Sequence, residues 1–335
     1  MRKGENFYVL DTMASNFTWA SVGEALSRDG VVVLRNLIAA EAVNTVAAAA
    51  NRILSKPSLL GSVGYYRKGY TKRMYDPLLL GAPTPEIVLE NNILDVVTEY
   101  VGGECWLAEC TLKHDEGSDE LYFPMHSDFA AGSTWIQREG NPVISAELMQ
   151  RRFGVGAMMY LHDTTDGAFC YAIGTHTLGA PHGSSLNRYP QPMRSQIEAA
   201  TVRIEGCKGD VVLFDDRGFH GPEQPVTVQR TVLIWDFYER KAFKDRTKTP
   251  IPVLPTDLGR LNQRQLSWLG IGADGPMIPY DLYHMRGFDK TPHYRTVRRV
   301  IELLQRWDML KVKLRRIRNR LFPRRKPNAA MDYSE

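Results

Sequence analysis

The sequence predicts a mainly β protein, with helices before the sheet region and a helical tail after it. From Cys105 to about Tyr238, short apolar or alternating segments are separated by turns rich in Gly, Pro and Asp. This pattern is typical of an antiparallel sandwich or barrel rather than of alternating strands and helices. Outside that region, apolar residues recur at the three- and four-residue spacing of helices, which predicts the flanking helical parts.

Three strands are clearest within the sheet region. They are expected at Val155–Leu161, Val211–Phe214 and Thr231–Phe237, where apolar or alternating residues are bounded by turn residues. Val31 to Leu34, much earlier in the chain, predicts a further short buried strand. The sequence therefore places one strand among the N-terminal helices and the others in the later sheet region.

Helices are expected on both sides of that first strand. A helix near Trp19 to Arg28 would end at Gly30, because glycine suits the left-handed conformation that closes many helices. Ala40 to Leu54 predicts an alanine-rich helix that packs on the core by one face. Thr84-Pro85-Glu86 predicts a cap followed by a helix that continues to Tyr100.

Length and composition fit a globular protein of one or two domains. The 335 residues are 43% hydrophobic and 24% charged, which leaves ample apolar material for a buried core. We expect one domain over residues 1–240, with its N-terminal helices followed by the β core from about residue 105. A C-terminal extension that begins with a Pro-rich link would cover 241–296, and a basic amphipathic helix and tail would cover 297–335.

Features of membrane-spanning and secreted proteins are missing from the sequence. No apolar run approaches the ~18 residues of a spanning helix, and no hydrophobic block follows the first residues. The cysteines form no Cys-x-x-Cys pair, so free thiols are expected and disulfides are the less favoured alternative. They are Cys105, Cys110, Cys170 and Cys207. These observations predict a cytoplasmic location.

Positive charge is concentrated near the C-terminus. Between Arg306 and Lys326 there are ten Lys and Arg against one Asp, a net charge of +9. Because the whole chain carries +4, the rest of the chain carries −5. Residues 297–321 also have apolar side chains at intervals of three and four, which predicts a basic amphipathic helix. The helix could dock on the β core, bind the anionic inner face of a membrane, or bind nucleic acid, in that order of preference.

The central motif is Phe123-Pro124-Met125-His126-Ser127-Asp128-Phe129. In a strand, residues two apart lie on one face, so His126 and Asp128 would present a nitrogen and an oxygen donor side by side. A third donor is expected from a neighbouring strand, and His220 follows the predicted strand Val211–Phe214 at a turn. Two histidines and one carboxylate form the ligand set of non-haem iron(II) oxygenases. A His-x-Asp pair alone is more often a surface hydrogen bond, so the motif needs its downstream context.

Arg230 follows His220 by ten residues, at the start of the next predicted strand. A guanidinium in this position can hold a carboxylate bidentately, as an anchor for the far carboxylate of 2-oxoglutarate requires. The alternative for Arg230 is a salt bridge at the rim of the barrel.

Four segments, in this order, resemble the phytanoyl-CoA dioxygenase (PhyH)-like family of iron(II)/2-oxoglutarate oxygenases over roughly Val22 to Tyr238. They are Asp29–Leu37, His126-x-Asp128, Leu161–Ala168 with Ile173–His176, and Gly209–His220 with Arg230. The resemblance implies a double-stranded β-helix (jelly-roll, cupin-like) core. It also implies that iron(II) binds to the two histidines and the aspartate, and that 2-oxoglutarate and O2 are converted to succinate and carbon dioxide.

The resemblance assigns Arg230 to the co-substrate. Lys113 is a further candidate for the same carboxylate, although a solvated lysine beside His114-Asp115 is the preferred interpretation. Gly221-Pro222-Glu223 departs from the family pattern after the third ligand, so the finer co-substrate contacts are expected to differ. His176, in the family's Gly-Ser-His position, is expected to brace a loop.

The substrate is expected to be a small molecule. Because Asp128 keeps the carboxylate that halogenating relatives replace, hydroxylation of an unactivated C–H bond, desaturation or ring closure is favoured over halogenation. The aromatic and basic loop from Gly64 to Tyr75 would suit an anionic metabolite or a lipid-like substrate, and a solvated loop is an equal alternative. Two other classes stay open: a catalytically inactive jelly-roll binding protein, and a zinc-dependent hydrolase with the same three ligands.

Overall fold

Eleven strands in two sheets form the centre of the computed structural model. The structure describes residues 8–54, 63–66, 71–74, 77–119, 124–132, 144–243, 251, 253–271 and nine positions between 303 and 321. The strands are β1 Val9–Asp11, β2 Val31–Arg35, β3 Val63–Tyr66, β4 Thr71–Met74, β5 Cys105–Glu116, β6 Gly154–Tyr160, β7 Thr164–Ala172, β8 Thr201–Gly206, β9 Val211–Phe214, β10 His220–Pro222 and β11 Gln229–Glu239.

Helices flank these strands on both sides in sequence. The α-helices are α1 Trp19–Asp29, α2 Ala40–Leu54, α3 Thr84–Val88, α4 Asn91–Val101, α5 Ala146–Met149, α6 Gln191–Ala199, α7 Pro255–Leu258 and α8 Gln263–Trp268. Short 3-10 helices lie at Pro77–Leu80, Thr175–Thr177, Leu186–Arg188 and Lys241–Phe243. In the part of the chain that the structure describes, no helix combines the length and apolarity needed to cross a bilayer.

The large sheet has eight strands in the order β1-β2-β9-β6-β11-β5-β4-β3, and the small sheet has three in the order β10-β7-β8. All pairs are antiparallel except β1 with β2. Antiparallel pairing is what the alternating segments and tight turns predict. The mainly β class with flanking helices is therefore confirmed.

Strand β11 contributes to hydrophobic clusters on both faces of the large sheet. Its residues Leu233, Trp235 and Phe237 pack against the N-terminal helices in the largest hydrophobic cluster. Val232, on the opposite face, belongs to a second cluster that includes Tyr171 of the small sheet. Because side chains alternate along a strand, the even-numbered residues of β11 face the space between the two sheets. That space contains the candidate site.

Several predicted elements appear with the expected bounds, including the helix Ala40–Leu54 and the strand Val211–Phe214. Gly30 ends α1 in the left-handed conformation, with φ of 80°. The four cysteines are free, as expected.

The predicted helix from Thr84 to Tyr100 is wrong in one respect, because the structure has two helices there. The Glu90 carboxylate caps the second helix by accepting a hydrogen bond from the Ile93 amide at 2.9 Å.

Two further expectations are corrected. The segment Gly64–Tyr75 was expected as a loop between helices, but its described residues form the hairpin β3–β4, which extends the large sheet beside β5. The segment around His126 was expected as a regular strand. It is extended chain with isolated bridges from His126 to Ser185 and to His220, and Asp128 lies in a bend.

Candidate metal centre

His126 and His220 are held together by their own backbones. The His126 amide donates to the His220 carbonyl at 2.9 Å, and the His220 amide donates back to the His126 carbonyl at 2.8 Å. This reciprocal pair lies where β10 begins, and it places the two imidazole centroids 4.7 Å apart. Residues almost a hundred positions apart in sequence therefore present their side chains to one point.

The orientation of both imidazole rings is fixed in the same way. His126 Nδ1 lies 3.0 Å from the Pro124 carbonyl oxygen, and His220 Nδ1 lies 3.0 Å from the Gly218 carbonyl oxygen. A carbonyl oxygen can only accept, so each Nδ1 carries the proton and each Nε2 keeps its lone pair. Metal-binding histidines show this arrangement, in which a backbone carbonyl fixes the tautomer.

Asp128 completes the group. Its carboxylate oxygens lie 3.3 Å from His126 Nε2 and 3.5 Å from His220 Nε2. The backbone holds it in place, since the Asp128 amide donates to the Asp216 carbonyl at 3.0 Å. Burial by itself would raise the pKa of Asp128, but the two histidines hold the pKa below its ordinary value. The aspartate is therefore an anion at neutral pH.

His220 is ready to act as a neutral donor. Burial lowers its pKa to about 4, an effect that outweighs the opposing influence of Asp128. The rings of Phe214, Phe169 and Tyr171 lie 4.8, 5.8 and 6.5 Å from the His220 ring centroid and supply this apolar surrounding. Because protons do not compete for Nε2 at neutral pH, a cation can bind there without first displacing one.

The three predicted ligands are thus brought together. One ligand atom from each of His126, Asp128 and His220 lies within 4.8 Å of the others. Two imidazole nitrogens and one carboxylate oxygen suit iron(II), and zinc also accepts this set. The exposed fraction of the Asp128 side chain is 35%, so the ligand set has an open side. The residues fit a divalent metal that keeps further coordination positions for other molecules.

Arg230 and Lys113, the two candidate co-substrate residues, lie on adjacent strands and face the same space. Arg230 is opposite Asp115 in the pairing of β11 with β5, and Lys113 is opposite Val232. The Lys113 ammonium lies 3.7 Å from the Asp115 carboxylate. The preferred interpretation of Lys113 as a solvated lysine is wrong, because its side chain is 3% exposed. Lys113 lies on the face of β5 that points to the space between the two sheets, and its side chain is shielded from water there.

Buried cations therefore converge at this end of the site. Arg230 donates to Asp115 and, through Nη1, to the Gly167 carbonyl at 2.7 Å. Burial, with Arg230 and Arg73, lowers the pKa of Lys113 to about 7 against the opposing effect of Asp115. Arg230 and Lys113 together carry more positive charge than Asp115 neutralises, so the cluster is suited to an incoming carboxylate.

Sequence reasoning missed three acidic residues that line the space between the sheets. The adjacent His114 and Asp115 were expected to diverge on a strand, and they do point to opposite faces of β5, but no role was expected for the buried Asp115. Asp216 and Asp236 are also buried. A single acidic residue within the apolar strand Thr231–Phe237 is a signal that could have found Asp236, because buried carboxylates need a partner or a function.

The other described histidines take structural positions. His176 is buried, and its Nε2 lies 3.3 Å from the Ser27 carbonyl oxygen, beside the turn at Gly30. His162 Nε2 accepts from the Thr231 amide at 2.9 Å. His182 is exposed, as expected. His284 and His293 lie outside the described residues.

The fold and the site together define a class of protein: a β-sheet protein with a two-histidine, one-carboxylate metal site between its sheets. The chain belongs to the phytanoyl-CoA dioxygenase (PhyH) family, whose model matches residues 26–231. It is an enzyme of the iron(II)- and 2-oxoglutarate-dependent dioxygenase type, with iron and 2-oxoglutarate as its cofactors.

Among curated relatives, the chain is similar to an ectoine dioxygenase of Sphingopyxis alaskensis. The two are 24% identical over 222 residues, which cover 61% of this chain and 70% of the relative. The structure is similar to EctD of S. alaskensis with bound Fe, with a TM-score of 0.52 and 19% identity over 70% of this chain and 82% of that one. It is also similar to the epimerase SnoN in complex with Fe3+, alpha ketoglutarate and nogalamycin RO, with a TM-score of 0.50 and 16% identity over 66% of this chain and 83% of that one. These structural likenesses show a shared fold.

Proposed function

We propose that this enzyme hydroxylates an unactivated C–H bond of a small molecule, with His126, Asp128 and His220 as the iron ligands and release of succinate and carbon dioxide. The observation that carries the proposal is the geometry of the donors. Both Nε2 atoms converge on one carboxylate, and both Nδ1 atoms are held by backbone carbonyls. Bound iron(II) supplies the chemistry that couples the oxidative decarboxylation of 2-oxoglutarate by O2 to substrate oxidation.

The protein's own residues contribute order and charge. The reciprocal backbone hydrogen bonds between His126 and His220 keep the donors in place before a metal arrives. Asp128 adds the negative charge that a divalent ion needs, and the aromatic rings around His220 exclude water from that side. The retained carboxylate favours hydroxylation, desaturation or ring closure over halogenation.

Arg230 is proposed to hold the far carboxylate of 2-oxoglutarate, with Lys113 as a second contact. Support comes from the burial of both cations and from their position on neighbouring strands of the sheet that lines the site. In this arrangement Asp115 and the Gly167 carbonyl fix the direction of the Arg230 guanidinium. A carboxylate beside two buried cations forms strong, charge-assisted hydrogen bonds.

The segment Gly64–Tyr75 does not support a proposal about the charge of the substrate. Arg67 and Lys68 of that segment lie outside the described residues. Lys72 pairs with Glu116 at 2.9 Å, so part of the positive charge is already matched within the protein. The anionic or lipid-like substrate expected from this segment stays a prediction without support from the described contacts.

Purified protein, reconstituted anaerobically with iron(II), tests the function. We expect one iron per chain, and O2 uptake and succinate release that depend on 2-oxoglutarate. Hydrolytic activity with bound zinc and no need for 2-oxoglutarate would favour the zinc hydrolase instead. Binding of a ligand without any 2-oxoglutarate turnover would favour the inactive binding protein.

The finer architecture is part of the same proposal. We infer that the eight-stranded and three-stranded sheets correspond to the two walls of a double-stranded β-helix, with the metal site between them. Residues 1–240 would form this catalytic domain, 241–296 an extension and 297–335 the basic tail. The support is the position of His126 and His220 between the two sheets.

The C-terminal helix is proposed to contact an anionic membrane surface. Its described apolar side chains are 44–68% exposed, which supports a membrane surface over docking on the β core, the preferred expectation. They are Leu303, Trp307, Leu310, Leu314, Ile317 and Leu321. Lys311, Lys313 and Arg318 are exposed beside them. An exposed apolar row flanked by cations matches the boundary between headgroups and acyl chains, whereas nucleic acid would not use the apolar row.

A further inference from the structure

Two buried carboxylates lie next to the metal site without being metal ligands. Asp216 is 0% exposed and Asp236 is 9% exposed. Asp236 is on β11 and faces the same space as Arg230, six residues along the strand, which corresponds to roughly 20 Å. The site is therefore polarised, with buried cations at the co-substrate end and buried carboxylates at the other end.

Asp216 is unusual because its carboxyl group is fully buried and joins none of the described ion pairs. Neither carboxylate oxygen has a hydrogen-bond partner, although the Gly156 backbone is near enough to lower the pKa. Its neighbour Asp215 differs completely, since it accepts hydrogen bonds from the Tyr100 hydroxyl at 2.6 Å and from the Arg217 guanidinium at 2.6 and 2.9 Å. Arg217 thus neutralises the charge of Asp215 and forms no described hydrogen bond with Asp216.

The space for the Asp216 carboxylate is created by two glycines. A Cβ at Gly156 would overlap Asp216 Oδ1, and a Cβ at Gly154 would lie 3.1 Å from Oδ2. Both glycines lie opposite Asp236 and Tyr238 in the pairing of β6 with β11. The carboxylate therefore lies on the face of β6 that lines the site rather than in the core under the helices.

Other negative groups surround this position. Burial raises the pKa of Asp216 well above its ordinary value, and Asp236, Asp128 and Asp215 add to the effect. The pKa of Asp236 is also raised, first by burial and then by Glu109 and Asp128. These mutual effects place both carboxylates within electrostatic range of the Asp128 ligand.

Neither the described ligand group nor the described ion pairs provide a cation for these two carboxyl groups. Metal binding neutralises Asp128, but Asp216 and Asp236 do not join any described group of ligand atoms close enough to hold a second ion. The described ion pairs do not include either residue. Arg73 is the cation that lowers the pKa of Asp236, and its influence is the smallest of the four. A buried carboxyl group that meets no described cation can bind one, because pairing with a cation is what makes its charged form favourable in the interior.

Aromatic rings border the same region. The Tyr238 and Phe129 rings are 5.5 Å apart in an edge-to-face arrangement, and Phe129 directly follows Asp128 in sequence. The carboxylates of Asp236 and Asp216 both raise the pKa of the Tyr238 phenol, after burial, so the ring is close to them. Carboxylates combined with aromatic faces are the surroundings that bind organic cations.

We propose that the substrate carries a cationic nitrogen group, an ammonium, amidinium or guanidinium, which binds to the carboxylates of Asp216 and Asp236 beside the iron site. This inference rests on the proposed iron- and 2-oxoglutarate-dependent function. It reverses the anionic substrate expected from the sequence. The bound cation replaces the missing partner of Asp216 and orients the substrate, while the opposite end of the site is left to 2-oxoglutarate.

The test uses full-length protein loaded anaerobically with iron(II) and 2-oxoglutarate, with n-butylguanidinium as the probe. N-Butylurea is its neutral counterpart of similar shape, and pentanoate is the anionic one. We expect n-butylguanidinium to bind at least about tenfold more tightly than either counterpart, because charge-assisted hydrogen bonds are roughly twice as strong as neutral ones. Iron(II) should also enhance the proton relaxation of the butyl group, which reports that the probe binds near the metal.

Asp216→Asn and Asp236→Asn should each weaken n-butylguanidinium binding by about tenfold or more, while binding of N-butylurea stays the same. Asp236→Asn provides the second variant if Asp216→Asn does not fold. Asp166→Asn is the control, since that side chain is 65% exposed and lies on β7. Equal binding of the three probes, or unchanged n-butylguanidinium binding by both variants, would overturn the inference and identify the carboxylates as a structural pair that shares a proton. Failure to bind iron and 2-oxoglutarate at all would instead overturn the proposed function, and this inference with it.

Discussion

Arg230 and Asp115 lie directly opposite each other on β11 and β5, and the guanidinium donates from Nε at 3.0 Å and from Nη2 at 2.6 Å to one carboxylate oxygen. Both side chains are almost fully buried. The second Asp115 oxygen lies 3.7 Å from the Lys113 ammonium. One carboxylate thus organises two cations at the end of the site that we assign to 2-oxoglutarate.

Arg230→Leu should weaken 2-oxoglutarate binding while leaving the iron content nearly unchanged. Removing one partner of a buried charge pair costs about 3–5 kcal/mol, which corresponds to a loss of affinity of at least a hundredfold. Titration of anaerobic, iron-loaded protein with 2-oxoglutarate measures the change. Arg203→Leu is the control, because that arginine is partly exposed and pairs with Glu205 and Glu223. Unchanged affinity in Arg230→Leu would transfer the role to Lys113.

Lys113 should make 2-oxoglutarate binding depend on pH near neutrality. Its pKa is lowered to about 7 by burial, Arg230 and Arg73, against Asp115. The lysine is therefore charged at pH 6 and largely neutral at pH 8. A bound carboxylate favours the charged form, so the dissociation constant should rise as the pH rises through about 7.

The measurement compares dissociation constants at pH 6 and pH 8 at saturating iron. Lys113→Met should bind weakly at pH 6 and lose most of the pH dependence. Lys208→Met is the matched control, since Lys208 is exposed and donates to Asn44. A pH profile that is identical in Lys113→Met and the unchanged protein would exclude Lys113 from the co-substrate site.

Asp128→Ala should lose iron and substrate oxidation, because the site then keeps two neutral imidazoles and no anionic ligand. His126→Ala and His220→Ala should behave alike. His176→Ala is the informative contrast, since His176 is buried beside Ser27 and Gly30 and should affect stability while iron remains bound. Iron content after anaerobic reconstitution is the measurement. A His176→Ala protein without iron, beside a His220→Ala protein that retains it, would show that the third ligand is misassigned.

The candidate metal site could be predicted because its residues have a regular short spacing or lie next to recognisable strands. His126 and Asp128 are two residues apart, His220 follows a recognisable buried strand, and Arg230 begins the next one. The prediction was right about which residues converge and wrong about the strand that was meant to carry the first pair. Extended chain gives the same i, i+2 relationship without a ladder of hydrogen bonds, so the error in secondary structure did not affect the choice of ligands.

The burial and the pairing of charged residues in the interior could not be predicted in the same way. Whether Lys113 is solvated or buried depends on what covers its face of β5, and this is a long-range property of the fold. Asp215 and Asp216 are adjacent and chemically identical, yet Arg217 compensates only the first. The difference arises from the direction of each side chain, which sequence spacing does not encode in a turn between strands.

Gly156→Ala should destabilise the protein. The added methyl group would overlap both Asp216 Oδ1 and the Phe214 ring, and overpacking of this kind costs about 1–3 kcal/mol. Gly23→Ala is the control, because Gly23 lies in α1 with nothing within 4 Å of a new Cβ, and alanine there should stabilise the helix by up to about 1 kcal/mol. Chemical denaturation measures both free energies of unfolding. Equal stability of the Gly156→Ala protein would mean that the Asp216 carboxylate does not occupy the face of β6.

The final prediction concerns the basic tail. If its exposed row binds an anionic membrane, each Lys or Arg near the surface contributes about 1 kcal/mol, and salt screens the effect. The triple variant Lys311→Glu, Lys313→Glu and Arg318→Glu should then no longer sediment with vesicles that contain phosphatidylserine. These side chains are exposed, so the substitutions should leave the fold intact. Lys208→Glu is the control, because it reverses the charge of one exposed lysine between β8 and β9, outside the tail.

Trp307→Ala separates the apolar contribution from the electrostatic one. Trp307 is 56% exposed, with the Lys311 ammonium 5.8 Å from its ring centroid. A helix that inserts its apolar row into the headgroup boundary should bind more weakly without the indole at both low and high salt, whereas the loss caused by the triple variant should be largest at low salt. If the unchanged protein ignores these vesicles at low salt, the exposed row has another partner and the membrane proposal is wrong.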